Sequence, residues 1–189
     1  MKKTGVIGIV LVVLLVIIIA AGVGTYNSLQ KLDETTNSQW AQVENQLQRR
    51  YDLIPNLVET VKGYAAFEQE TLTAVVEARN KFATATTVGE VSEADSELTA
   101  AMRQLSVVVE AYPDLKANQT FQDLMTQLEG TENRIAVARM DYNDSVEILN
   151  RKIRTFPTSI IAGLIGIEKR EYFEAAEGSE EVPEVDFGK

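Results

Sequence analysis

The hydrophobic positions of this chain form one solid block followed by several stripes. From Gly5 to Val23 the sequence runs GVIGIVLVVLLVIIIAAGV, 19 residues without a charged or strongly polar side chain. A helix needs about 20 apolar residues to cross about 30 Å of hydrocarbon. It is the only open-chain structure that satisfies its own backbone there. Residues 5–24 therefore read as a transmembrane helix behind a short tail, residues 1–4. The competing reading is a cleaved signal peptide, with Ala20-Ala21-Gly22 as the small-residue site. The apolar stretch is longer than a usual signal core and a helical pattern follows it, which favours retention. Lys2 and Lys3 precede the span, whereas Lys31, Asp33 and Glu34 follow it with a net charge of −1. The positive-inside rule then puts the N-terminus in the cytoplasm and the rest of the chain outside.

Beyond Tyr26-Asn27 the apolar residues recur in steps of three and four. Leu29, Leu32, Thr36, Trp40, Val43, Leu47, Tyr51 and Ile54 share one helical stripe. Because no Pro or Gly run separates it from the apolar block, the membrane helix is expected to continue into the first domain helix. Pro55 is the expected interruption, either a kink or the first turn of a new helix capped by Asp52. Leu57 through Phe82 keep the period, and Gly63 is not expected to break it. Thr84–Val91 reads as a connection, with Ser92 and Asp95 as a capping box for the next stripe, Leu98 to Tyr112. Pro113 ends that helix. Asn118 or Thr120 caps the last long helix, from Phe121 to Ile153, and Phe156-Pro157 closes it. A short apolar run, Ile160–Ile167, follows, with covering the end of the bundle as its default role and the membrane interface or a second subunit as the others. Residues 174–189 are acidic, contain Pro and Gly, and read as a disordered tail. The expected fold is all-α: a single N-terminal transmembrane helix, then an antiparallel up-and-down bundle of three to four long helices over residues 26–173.

Composition narrows the chemistry. The 189 residues contain neither Cys nor His, so disulfides, thiol nucleophiles, imidazole proton shuttles and most zinc or di-iron centres are excluded. Setting aside Lys2 and Lys3, the net charge of −10 leaves −12 on the remainder. Such a surface repels phosphate backbones, and no nucleic-acid partner is expected.

Several segments carry a family resemblance. Tyr26-Asn27, Trp40, RRYDLIPNLVETVKGYA (Arg49–Ala65), Ala78-Arg79, YPDLKA (Tyr112–Ala117) and TENRI (Thr131–Ile135) occur in this order. Ala138-Arg139, Tyr142-Asn143, Phe156-Pro157 and Tyr172-Phe173 follow. The chain resembles the LemA family over nearly its whole length. The resemblance implies a membrane-anchored antiparallel helical bundle and says little about activity, because the family has no established general biochemical function. One departure is Phe67, in FEQE, where many relatives carry His, which argues against a histidine role there.

Two polar clusters interrupt the stripes. Arg49, Arg50, Asp52, Asn56 and Glu59 surround Pro55, while Glu132, Asn133, Arg139, Asp141 and Asn143 lie on the last long helix. Charges on two antiparallel helices can pair across a bundle and fix its register, or they can bind a ligand or partner; register is the favoured reading. A ferritin-like site needs Glu-x-x-His pairs, a glycosidase pair needs a sugar-sized cleft, and no EF-hand spacing occurs. Trp40 and the tyrosines lie on apolar stripes and are expected in the core. No catalytic residue, cofactor or metal is expected. The functional expectation is a non-enzymatic membrane-anchored scaffold or interaction protein. The alternative is an extracytoplasmic sensor or ligand-binding bundle, whose four-residue N-terminal tail would leave signalling to a partner chain. Expected partners are the bilayer through residues 5–24, a second copy of the chain, and an unidentified membrane or envelope protein.

Overall fold

The computed structural model describes residues 2–64 and 68–174. Phe67, Ala65 and all but the first residue of the acidic tail lie outside them. Six helices follow in order: α1 (Lys2–Lys62), α2 (Gln69–Thr84), α3 (Val88–Val109), α4 (Pro113–Lys116), α5 (Gln119–Arg154) and α6 (Thr158–Ile165). No strand occurs among the described residues.

Helix α1 is continuous from the apolar block through Pro55, so Pro55 does not open a new helix. A proline inside a helix costs about 3 kcal/mol, since it removes one hydrogen bond and crowds the preceding turn. Pro55 itself lies on the exposed side, while Ile54, Leu57 and Val61 are fully buried. Each such side chain stabilises by about 1.5–3 kcal/mol, enough together to carry the helix past the proline. The break instead falls at Gly63-Tyr64, a turn in which the Tyr64 N–H donates to the Val61 carbonyl at 2.9 Å. Four long helices result, α1, α2, α3 and α5, divided at Gly63 rather than Pro55.

The cap of α3 also departs from expectation. Thr87 is the N-cap: its hydroxyl accepts the Glu90 N–H at 3.2 Å, and Glu90 Oε2 accepts the Thr87 N–H at 3.2 Å. Ser92 and Asp95 lie inside α3, both buried. Helix α3 ends at Val109, and Pro113 opens α4, where a missing N–H costs nothing. Asn118 caps α5, its side-chain oxygen accepting the Phe121 N–H at 2.9 Å.

The chain forms two compact units. The first holds α1 up to Trp40 and residues 141–170. Here α1 and α5 run antiparallel: Trp40 packs on Tyr142 with ring centroids 5.1 Å apart, and Leu29 joins Leu149, Ile153 and Ala162 in one buried cluster. Helix α6 closes that cluster through Ala162, Ile161 and Ile165, and stops at Gly166, whose φ of 73° suits glycine. The Asn150 side chain then donates to the Arg170 carbonyl and accepts the Arg170 N–H, both at 2.9 Å. Arg170 also donates to Asp33 at 2.8 Å. Every large side chain from Ile7 to Ile19 in this unit is at least half exposed.

The second unit holds α1 from Ala41, all of α2, α3 and α4, α5 up to Met140, and the segment that begins at Glu171. Its core includes Val43, Leu47, Tyr51, Ile54, Leu98, Leu105, Leu115 and Ile135, with Tyr51 stacked on Phe82 at 4.0 Å between centroids. Of the aromatic residues expected in the core, Tyr51 and Tyr142 are buried and Trp40 is half-buried, but Tyr26, Tyr64 and Tyr172 are exposed.

Candidate functional site

The apolar stripe of α1 admits one charge into the interior of the second unit. Arg50 is only 5% exposed. Its guanidinium donates to Asp95 Oδ1 at 2.8 Å and to Thr99 Oγ1 at 3.1 Å, both on α3. It also lies 2.8 Å from Glu132 Oε2 on α5, a charge contact without the alignment of a good hydrogen bond. Arg139, about two turns after Glu132 on α5, meets the second oxygen of Asp95 and lies over the Phe173 ring at 4.5 Å. Asp95 thus bridges two arginines, and with Glu132 the four charges cancel.

Burial sets the electrostatics. Desolvation lowers the Arg50 pKa, opposed by Glu132 and Tyr51. Desolvation, followed by the like charge of Arg50, brings Arg139 down to about 10. Tyr51, buried beside them, has its phenol pushed above the ordinary range, chiefly by desolvation and against the pull of Arg50. The Tyr51 hydroxyl and Arg139 Nε lack hydrogen-bond partners.

The cluster gathers only part of what the sequence singled out. Arg50, Glu132 and Arg139 come together. Arg49, Asp52, Asn56, Glu59, Asn133 and Asp141 are exposed; Asp52 accepts from Gln48, and Glu59 pairs with Lys62, both on α1 itself. Asn143 is half-buried in the first unit. Sequence reasoning missed Asp95, Thr99 and Phe173. The signal for Asp95 was its phase, since it precedes Leu98 by three residues and Met102 by seven on the buried stripe of α3.

Among the described residues no three carboxylates converge on a metal-sized space. A groove of about 490 Å³ lies between α1 and α2, lined by Val58, Leu72 and Val76 with Lys62, Gln69 and Thr73 at its polar positions.

These features define an all-helical protein in which an uncovered apolar N-terminal helix runs on into a domain held by a partly buried four-charge cluster. The chain belongs to the LemA family, whose model matches residues 39–187. It is similar to the magnetosome proteins MamQ 1 and MamQ 2 of Paramagnetospirillum magneticum, 27% identical over 175 residues. That match covers 79% of this chain and 64% of each relative, so the chain spans less than two thirds of their length. Protein LemA of Metamycoplasma hominis is 27% identical over 157 residues, covering 82% of this chain and 71% of the relative.

Proposed function

We propose that this chain is a membrane-anchored, non-enzymatic scaffold or interaction protein. Residues 5–24 cross the bilayer once, the N-terminus is cytoplasmic, and the helical domain is extracytoplasmic. The observation that carries this reading is the Ile7–Ile19 segment, exposed along its whole length yet continuous with the helix that supplies Leu29 and Leu47 to the two cores. An apolar surface of that size is stable only in lipid or against protein. The charged cluster supports the non-enzymatic side, because its two cations and two anions are spent on one another.

The test uses the full chain in its native membrane. It should resist alkaline extraction, dissolve in detergent, and retain Met-Lys-Lys at its N-terminus. A mature chain beginning near Val23 or Thr25 would replace the anchor with a cleaved signal. A membrane-impermeant thiol reagent should reach Glu129→Cys in intact cells; labelling only after permeabilisation would reverse the orientation. Cross-linking in the membrane should yield a second copy or an envelope protein, and monomer alone would count against the scaffold.

The groove between α1 and α2 favours a second reading, a bundle that senses a small amphipathic ligand through a partner chain. Its mixture of apolar and polar lining residues has the makeup of a ligand pocket. Ligand screening by thermal shift separates the two: a scaffold shows no small-molecule stabilisation, whereas a sensor loses its stabilising ligand on Leu72→Trp.

A further inference from the structure

We infer that the outer face of α6 lies in the boundary between headgroups and acyl chains of the bilayer that α1 crosses. The inference rests on the anchor reading of residues 5–24. Between Thr155 and Ile167 the sequence contains no charged residue. Helix α6 uses one side to close the cluster of Leu29, Leu149, Ile153 and Ala162. The other side presents Ile160 and Leu164, 57% and 82% exposed, and a spacing of four residues places these two together. Phe156, 78% exposed, lies in the turn that leads into the helix.

Packing fixes the depth of this face. From Trp40–Tyr142 to the cluster at Leu29 and Ile153, α1 recedes by eleven residues toward the apolar block while α5 advances by eleven. The end of α5, and α6 after it, therefore sit beside the last turns before the span. Leu29 is five residues past residue 24, about 8 Å along a helix axis. The polar region of a bilayer extends about 5–8 Å beyond the hydrocarbon on each side, so α6 comes level with it.

Charge and area both point to lipid. Arg151, Lys152 and Arg154, all exposed, precede the apolar face, and the four residues that follow it, Glu168, Lys169, Arg170 and Glu171, carry no net charge. An apolar face entered through three basic residues suits an interfacial helix on anionic headgroups. A second copy fits less well. Three side chains bury at most roughly 500 Å² on each copy, against about 800 Å² per partner in a standard interface.

The full chain lacks cysteine, so single Cys variants carrying an environment-sensitive dye can report depth in phosphatidylcholine–phosphatidylglycerol vesicles. Leu164→Cys changes an exposed side chain and leaves the core intact. Its dye should be blue-shifted, strongly quenched by nitroxide lipid labelled near the headgroup, and weakly quenched by lipid labelled deep in the acyl chain. Leu14→Cys should show the reverse preference. Ser38→Cys, exposed on the same unit and about 21 Å past the span, should stay unquenched. If Leu14→Cys is quenched and Leu164→Cys behaves like Ser38→Cys, the inference fails while the anchor stands. If Leu164→Cys is blue-shifted but untouched by either nitroxide, protein rather than lipid covers the face and the inference also fails. No quenching at Leu14→Cys overturns the anchor, and the inference with it.

Discussion

Arg50 and Asp95 lie 45 residues apart in the chain and meet at 2.8 Å inside it, both at most 5% exposed. Asp95 also holds Arg139, so a single carboxylate separates one buried and one half-buried guanidinium group. Breaking a buried pair by removing one partner typically costs about 3–5 kcal/mol. Asp95→Asn should fall in that range and exceed the loss from Glu132→Gln, whose side chain is 42% exposed. Urea denaturation of a chain starting near Tyr26 checks the order, and equal losses at the two positions would contradict the bridging role.

A double-mutant cycle tests whether the cluster acts as a unit. Arg50→Met and Glu132→Leu should show coupling of about 1 kcal/mol, above the additivity limit of about 0.5 kcal/mol. Additive losses would mean that Glu132 only solvates the outer edge of Arg50.

Tyr51 offers a test in the opposite direction. Its buried hydroxyl has no hydrogen-bond partner, and leaving such a group unsatisfied costs about 1–3 kcal/mol. Tyr51→Phe should therefore keep or raise stability at neutral pH. The difference should widen in alkali. The phenol is held above its ordinary value of about 10 in the folded chain, so above that pH the unfolded chain releases a proton that the folded chain retains. Stability linked to Tyr51 is then complete below about pH 10 and is lost as the pH rises further. Arg139, lowered to about 10, pulls the other way in the same window, so the comparison is made between Tyr51→Phe and the parent chain, both of which keep Arg139. Parallel stability curves from pH 7 to about 11 would refute the assignment.

The cap of α3 predicts a contrast between the Thr87 hydroxyl and the Asp95 carboxylate. Thr87→Ala should cost about 1 kcal/mol, the usual value for an N-cap. Asp95→Glu, harmless if Asp95 were a capping residue, should be damaging because the cluster has no room for another methylene. A tolerated Asp95→Glu would restore the cap that the sequence suggested.

Both units contain fully buried leucines, and Trp40 distinguishes them. Leu47→Ala and Leu149→Ala should each cost about 2–5 kcal/mol. Only Leu149 shares a unit with Trp40, so Leu149→Ala should perturb native tryptophan emission more than Leu47→Ala does. Equal perturbation would argue against the division at Trp40.

The stripes were legible because burial imposes a period, and Leu29 through Ile54 and Phe121 through Ile153 could be read directly. Punctuation was less legible. Pro55 carries a strong local penalty, yet local penalties of about 3 kcal/mol lose to several buried side chains, while Lys62, Gly63 and Tyr64 at the turn are all exposed. Ser92 and Asp95 looked like a cap because the motif is short, and Thr87 with Glu90 satisfied the same pattern five residues earlier. The cluster was half visible: Arg50, Glu132 and Arg139 stood out as charges, but Asp95 was assigned to a helix end and so was not available as their partner. The contact of α6 with Leu29 links positions more than 130 residues apart in the chain, which no local pattern encodes.

The paired hydrogen bonds between the Asn150 side chain and the Arg170 backbone act as a knot at the neck of a loop. The two positions are 20 residues apart, and everything between them, including α6, is gathered by one amide. Closing a flexible loop of that length costs roughly 2–3 kcal/mol of chain entropy, comparable with what small proteins recover by a disulfide. A carboxamide neither titrates nor oxidises, and its bonds are only weakly sensitive to salt. In a chain without cysteine, this fastening is indifferent to whether its surroundings are reducing or oxidising.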